Sequence, residues 1–289
     1  MKHKPTKSTR VWHTLETTGL LALGSLAGCG ADDPTLGSTD AQTEAVANAP
    51  LTPGEGAGEG AGEGAGEGAG EGEGAMDSAL TAADDVAYLT QLGLMRGHLR
   101  VGNELYQSDL TGMAATHMKH PKAELYSTLE APFAVRDVNG FSSELEQLAS
   151  RVENTASAGD VEAAYTELTS AISAAELGAD TTSPRIIGEV IVALLRTAAE
   201  EYAIGVVDDK INNLHEYQDA LGFTQIAAQW ARSPAFLDSS TAATAAGIQV
   251  IISELDGMWP GLNPQNTVPQ QAAKLYGAAA RVEIQILGL

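Results

Sequence analysis

The chain has 289 residues and a formal net charge of −22, from 38 acidic and 16 basic residues. This charge argues against nucleic acid as a partner, because phosphate recognition requires clustered lysine and arginine. It also disfavours electrostatic binding to anionic lipid and favours cations as partners.

A secretion-like leader is the first element, over residues 1–28. Basic residues near the start precede a short apolar run at residues 19–27, as in exported proteins. The run ends just before Cys29, the only cysteine of the chain. A lone thiol in an oxidising compartment is a liability unless it is consumed, which favours a modified cysteine. The alternative is an ordinary secretory leader followed by an incidental cysteine.

The sequence Leu26-Ala27-Gly28-Cys29 resembles the lipobox of bacterial lipoproteins. The resemblance implies cleavage before Cys29 and acylation of that residue, so the chain would contact the membrane through lipid alone. It predicts a lipid-anchored protein of the bacterial cell envelope. Gly30, where other lipoproteins carry aspartate, is similar to lipoproteins sorted to the outer membrane, on its periplasmic or surface side.

Residues 29–77 follow as an acidic linker without a single basic residue. Its centre, residues 54–74, repeats Gly-Glu-Gly-Ala units. Such a sequence has little apolar surface to bury and repels itself, so we predict a disordered tether. Calcium binding by the repeated glutamates is the alternative, although single carboxylates on a glycine-rich coil are not preorganised for it.

Residues 78–289 show helical periodicity and no convincing alternating strand. We predict an all-α domain, a multi-helix up-down bundle, with two packed bundles divided near residues 178–183 as the alternative. No apolar run in this region approaches the roughly 20 residues that a membrane span requires. The predicted helices cover residues 82–107, 111–120, 122–135, 141–156, 160–177, 184–206, 212–232, 239–258 and 268–287.

Histidines in the first and second predicted helices suggest a metal site. His98 shares the apolar stripe of the first helix and should face the interior. His117 and His120 are three residues apart, a spacing by which one helix face offers two imidazoles to a metal. Glu104 and Glu124 are nearby carboxylates. The alternative is that His117 and His120 are ordinary polar residues of a surface turn.

A second, weaker set of candidate ligands lies further along the chain and comprises Glu201, His215, Glu216 and Asp219. Its carboxylates fall on apolar stripes, where they are costly unless paired, protonated or metal-bound. The alternative is salt bridging to Arg185, Arg196 or Lys210, with Asp208 and Asp209 as a helix cap. The sequence shows no motif for a nucleophile–base pair or a phosphate-binding glycine loop, so we do not expect an enzyme.

The segment from Glu201-Tyr202 to Gly222-Phe223 resembles the helical extracytoplasmic region attached to some Ftr-type iron permeases. Residues 97–106 and 117–126 are similar to helical bacterial envelope proteins and, distantly, to imelysin-like and EfeO-type iron-uptake proteins. The imelysin-like Gly-x-His-x-x-Glu motif is absent, because Gly97 and His98 are adjacent here. Its metal site is therefore not transferred.

These resemblances imply transition-metal handling in the envelope, for uptake or storage. They put iron first, with a metal permease or another envelope protein as the implied partner, and copper is the next candidate on other grounds. Met113 and Met118, near His117, are the residues that favour copper. The competing hypothesis is a helical scaffold without metal that docks another envelope protein.

Overall fold

The structure is a computed structural model that describes residues 76–289 except 239, 266, 267, 269 and 270. The leader, Cys29 and nearly all of the acidic linker lie outside the described residues, and so do the side chains of residues 120, 123 and 124. The described part is almost entirely helical, which confirms the predicted all-α class. Its helices are α1 Ser78–Ala83, α2 Asp85–Gln107, α3 Thr111–His120, α4 Ser127–Val135, α5 Ser142–Glu153, α6 Ala158–Glu176, α7 Pro184–Gly205, α8 Leu214–Trp230, α9 Ala242–Ser253 and α10 Ala272–Ile286.

The first predicted helix is divided in two at Asp84. The backbone of Asp84 is extended, and its carboxylate accepts a hydrogen bond from the Ala87 amide at 2.8 Å, so it caps α2. The prediction that the first helix starts at residue 82 was therefore wrong. The helix predicted to start at residue 160 also begins earlier, because Ser157 occupies the N-cap position of α6.

Pro121 does not end the helix as expected. A π-helical segment, Pro121–Tyr126, continues from α3 into α4. Proline lacks an amide hydrogen and clashes with the preceding turn of a regular α-helix. A local change of helical pitch at this position lets the chain continue without that clash.

A short antiparallel hairpin joins α7 to α8, although no strand was predicted. Strand β1, Val206–Val207, pairs with strand β2, Lys210–Ile211. Asp208 and Asp209 form the turn with φ values of 50° and 58°, the left-handed conformation that two-residue hairpins require. These aspartates are thus turn residues and not a helix cap. Asn213 caps α8 instead.

Helix α2 lies at the centre of the domain and contacts α3, α6, α7 and α8. Five residues spaced along its inward face are buried: Tyr88, Leu92, Met95, Leu99 and Gly102. The apolar core is continuous from α2 through α10. Among the described helices, none combines the length and the apolarity needed to cross a bilayer.

Candidate metal centre

Three histidines from three helices surround the carboxylate of Asp219. His98 Nδ1 lies 2.7 Å from Asp219 Oδ1, and His117 Nδ1 lies 2.9 Å from the same oxygen. His215 Nδ1 lies 2.9 Å from the other oxygen, Oδ2. We call these four residues the His/Asp cluster. His98 comes from α2, His117 from α3, and the other two from the first half of α8.

The cluster is removed from water. His98, His117 and Asp219 are 0% exposed, whereas the side chain of His215 retains 22% of its accessible surface. A carboxylate in such a place is costly unless positive charge or hydrogen-bond donors compensate it. Each of the three imidazoles supplies part of that compensation. His215 is the member of the cluster that solvent can reach.

Two close helix crossings set the distances within the cluster. Helix α2 meets α8 at Gly97 and Gly222, where a Cβ atom on Gly222 would lie 2.8 Å from the Gly97 carbonyl carbon. Helix α2 meets α3 at Gly102, where a Cβ atom would lie 3.3 Å from His117 Cβ. Glycine at these positions lets the backbones approach closely, and His98, beside Gly97, is thereby brought to Asp219.

The first turn of α8 presents one acidic side chain, that of Glu216, beside His215. The Asn213 side chain accepts from the His215 amide at 3.1 Å, and its own amide group donates to Glu216 Oε1 at 3.2 Å. Glu216 Oε2 lies 3.8 Å from His215 Nδ1. Because a helix N-terminus carries partial positive charge, carboxylates are favoured here.

Gln218 fixes the orientation of His117. Its side-chain nitrogen donates to the Leu262 carbonyl at 2.8 Å, so its oxygen is the atom that faces His117 Nε2, also at 2.8 Å. His117 must then carry hydrogen on Nε2. In a neutral His117 the unprotonated Nδ1 then lies 2.9 Å from Asp219 Oδ1, which is repulsive unless a proton or a metal cation lies near both atoms. Metal-bound histidines commonly show this arrangement, in which the second nitrogen donates to a fixed acceptor.

Neighbouring rings complete the packing of the cluster. The rings of His117 and His215 are stacked, with centroids 4.2 Å apart and planes 9° apart. Phe223 places its ring perpendicular to that of His98 at 5.1 Å. Aromatic contacts of this kind restrict rotation of the imidazoles and keep their nitrogens directed at Asp219.

The electrostatics of the cluster favour a carboxylate anion and bound protons when no metal is present. Burial alone would raise the pKa of Asp219, but His98 and His117 nearby hold it well below its usual range. Burial also opposes a charge on His215, yet hydrogen bonds to Asp219 and Glu216 raise the pKa of His215 to about 10. Without metal, the protonated His215 therefore balances the negative charge of Asp219.

The spacing of the donors fits coordination of a transition-metal ion. In an octahedral complex with bonds of about 2.0–2.1 Å, neighbouring donor atoms are about 2.9 Å apart. The nitrogens of His98 and His117 lie 2.7 and 2.9 Å from Asp219 Oδ1. Imidazole and carboxylate together suit iron, zinc and copper. The residues present, which come from three helices, therefore fit a metal ion.

The structure unites residues that the sequence placed in two separate sets. His98 and His117 from the first set meet His215, Glu216 and Asp219 from the second. The side chains of His120 and Glu124 lie outside the described residues. Sequence reasoning missed Gln218, although its position directly before Asp219 on the same helix was a usable signal.

The remaining predicted carboxylates have other surroundings. Glu104 lies 3.2 Å from Arg100 Nε and is about one-third exposed, so it is part of a surface ion pair. Glu201 is completely buried on α7, on the same face as Gly205. The arginines expected to pair with the second set bind elsewhere: Arg185 contacts Glu189 and Arg196 contacts Glu283.

These features define an all-α domain with a buried histidine–carboxylate centre. Residues 178–286 match the family model of the iron permease-associated 4-helix bundle domain. The match supports the resemblance to the Ftr-type helical region. It begins just before α7 and ends with α10, so it includes His215, Glu216 and Asp219 and leaves His98 and His117 in the preceding helices. Comparisons with curated proteins and with solved structures found no match.

Proposed function

We propose that this chain binds a transition metal, iron first and copper next, at the His/Asp cluster, for uptake or storage in the cell envelope. One observation carries the proposal: three imidazole nitrogens lie within 2.9 Å of a single buried carboxylate, that of Asp219. No arginine or lysine contributes to these contacts. An imidazole–carboxylate donor set of this kind is typical of metal ligation.

Each residue of the site has a separate role in binding the ion. Asp219 supplies the negative charge, while His98 and His117 supply neutral nitrogen donors from two other helices. Gln218 holds His117 with Nδ1 directed at the site. His215, the partly exposed member, lies on the side from which a metal can arrive and leave.

The preference for iron comes from the family match, and the partner follows from the same description. A domain of the iron permease-associated type would receive iron for a permease or retain it beside one. Lipid attachment at Cys29 would place the domain in the envelope, where such a permease works. The Met113 thioether, 3.8 Å from Gln218 Nε2, is the feature that keeps copper as the second choice.

Elemental analysis of the full-length protein tests the proposal. The protein is purified with a tag that lacks histidine, stripped with chelator, and challenged with Fe(II), Cu(II) and Zn(II) before dialysis. We expect near-stoichiometric metal in the wild type and a loss of at least tenfold in Asp219→Asn. Glu176→Gln is the matched control, because Glu176 is a buried carboxylate paired with Arg96 at 2.6 Å.

Glu176→Gln should therefore retain the metal. Metal at background level in the wild type would reject metal binding and favour the helical scaffold. Full metal content in Asp219→Asn would place the ion elsewhere in the chain.

A further inference from the structure

We infer that the His/Asp cluster holds two metal ions, with Asp219 as a carboxylate bridge between them. The inference rests on the proposed function and goes beyond it in the number of ions and in the role of Glu216. One set of donors is His98, His117 and Asp219, and the other is His215, Glu216 and Asp219. Asp219 is the member that both sets share.

The two sets use different oxygens of the shared carboxylate. His98 and His117 approach Oδ1, at 2.7 and 2.9 Å, whereas His215 approaches Oδ2 at 2.9 Å. A carboxylate whose two oxygens each face separate nitrogen donors can bind one cation through each oxygen.

The stacked rings support separate ions. The rings of His117 and His215 lie nearly parallel, with centroids 4.2 Å apart, and each places Nδ1 2.9 Å from its own oxygen of Asp219. Because the lone pair of an imidazole nitrogen lies in the ring plane, the lone pairs of two stacked rings lie in separate parallel planes and do not meet at one point. Each ring is therefore better placed to serve its own ion.

The second set carries its own negative charge. Glu216 is 4% exposed, and the Asn213 side chain holds its Oε1 atom. This contact leaves Oε2 on the side of His215, 3.8 Å from Nδ1. A second cation beside the first would be repelled unless a further carboxylate compensated it, and Glu216 provides that charge.

Counting the bound ions tests the inference without reference to any activity. The full-length protein, stripped of metal, is titrated anaerobically with Fe(II), and the ions per chain are counted by native mass spectrometry and elemental analysis. We expect two ions in the wild type, one in His215→Ala, one in His117→Ala and none in Asp219→Asn. Glu176→Gln, which removes the carboxylate that binds Arg96, should retain two ions.

The outcomes separate this inference from the proposed function. A single ion in the wild type would overturn the bridge and leave the proposed function intact. No ion in the wild type would overturn both. Two ions that persist in His215→Ala would show that the second ion does not depend on His215 and would also overturn the bridge. The wild-type count does not depend on the folding of any variant, and circular dichroism verifies that each variant is folded.

Discussion

At the scale of single residues, the surroundings of Asp219 explain why this carboxylate can be buried. Three imidazoles lie within 2.9 Å of it, and the start of α8 adds partial positive charge. The sequence alone showed that Asp219 falls on an apolar stripe. It could not show which partners would meet it, because His98 and His117 are more than 100 residues away along the chain.

Gln218 gives the sharpest test at this scale. Gln218→Met keeps the volume and removes the acceptor that fixes the proton on His117 Nε2. Loss of such a supporting contact typically weakens metal binding by about 10–100-fold, so we expect that loss in affinity with unchanged stoichiometry. Competition with a chelator of known affinity measures it. Gln225→Met is the control, since Gln225 binds Arg100 and should be neutral toward metal. Unchanged affinity in Gln218→Met would contradict the assigned role.

Asp85 predicts a pH dependence of folding stability. Burial opposes its ionisation, but the Asp180 amide and Arg136 outweigh that effect and lower the pKa of Asp85. Because the folded-state pKa lies below the unfolded one, its stabilisation is complete above about pH 4 and is lost as the pH falls through the folded value. We expect Asp85→Asn to lower the free energy of unfolding by about 1 kcal/mol at pH 7.

Urea denaturation at pH 7 and at pH 2.5 measures this difference for Asp85→Asn. The wild type and the variant should converge at the lower pH. A difference that is the same at both values would show that the ionised carboxylate is not the source of the stabilisation.

At the scale of elements, two glycines bring α2 and α8 into contact beside the cluster. An alanine at Gly222 would place Cβ 2.8 Å from the backbone of Gly97, and backbone atoms cannot move aside as a flexible side chain can. We expect Gly222→Ala to cost about 3 kcal/mol in unfolding free energy and to weaken metal binding, because α2 carries His98.

Gly277→Ala is the matched control for this helix contact. Gly277 lies within α10, and nothing lies within 4 Å of an added Cβ atom. The substitution should leave metal binding unchanged and stabilise the helix by up to about 1 kcal/mol. Chemical denaturation and a metal titration of both variants provide the comparison. Equal stabilities for the two variants would contradict the importance of the close crossing.

The helices themselves were largely predictable, and the departures have local causes. Apolar periodicity predicted the bounds of α3 and α7 closely. For α7, a capping serine followed by a proline also marks the first turn. The sequence did not show the break at Asp84, because an extended capping residue interrupts the apolar stripe without altering its period. The hairpin at Asp208 and Asp209 was missed because four paired residues are too few to show alternation.

At the scale of the whole molecule, the His/Asp cluster and Glu216 bring together residues from two parts of the chain. The part that matches the iron permease-associated bundle supplies His215, Glu216 and Asp219. The helices before it supply His98 and His117. The sequence presented these as separate candidate sets, and only the packing of α2 and α3 against the matched bundle combines them. Metal binding should therefore stabilise both parts together.

Metal should raise the thermal stability of the folded domain. An ion that binds only the native state at 100 times its Kd adds about 2.7 kcal/mol. For a domain of about 200 residues this corresponds to a rise in Tm of about 5–10 °C. Differential scanning calorimetry with and without Fe(II) measures it, under anaerobic conditions. Asp219→Asn should show no rise, and an equal rise in that variant would mean that the stabilising ion binds elsewhere.

The most direct test of the central claim is a crystal structure of the iron-soaked protein with data collected at the iron absorption edge. We predict anomalous density within bonding distance of the Asp219 carboxylate, with His98 and His117 as further ligands. Anomalous density at any other place, or no anomalous density after a soak in saturating iron, would contradict the assignment of the His/Asp cluster as the metal centre.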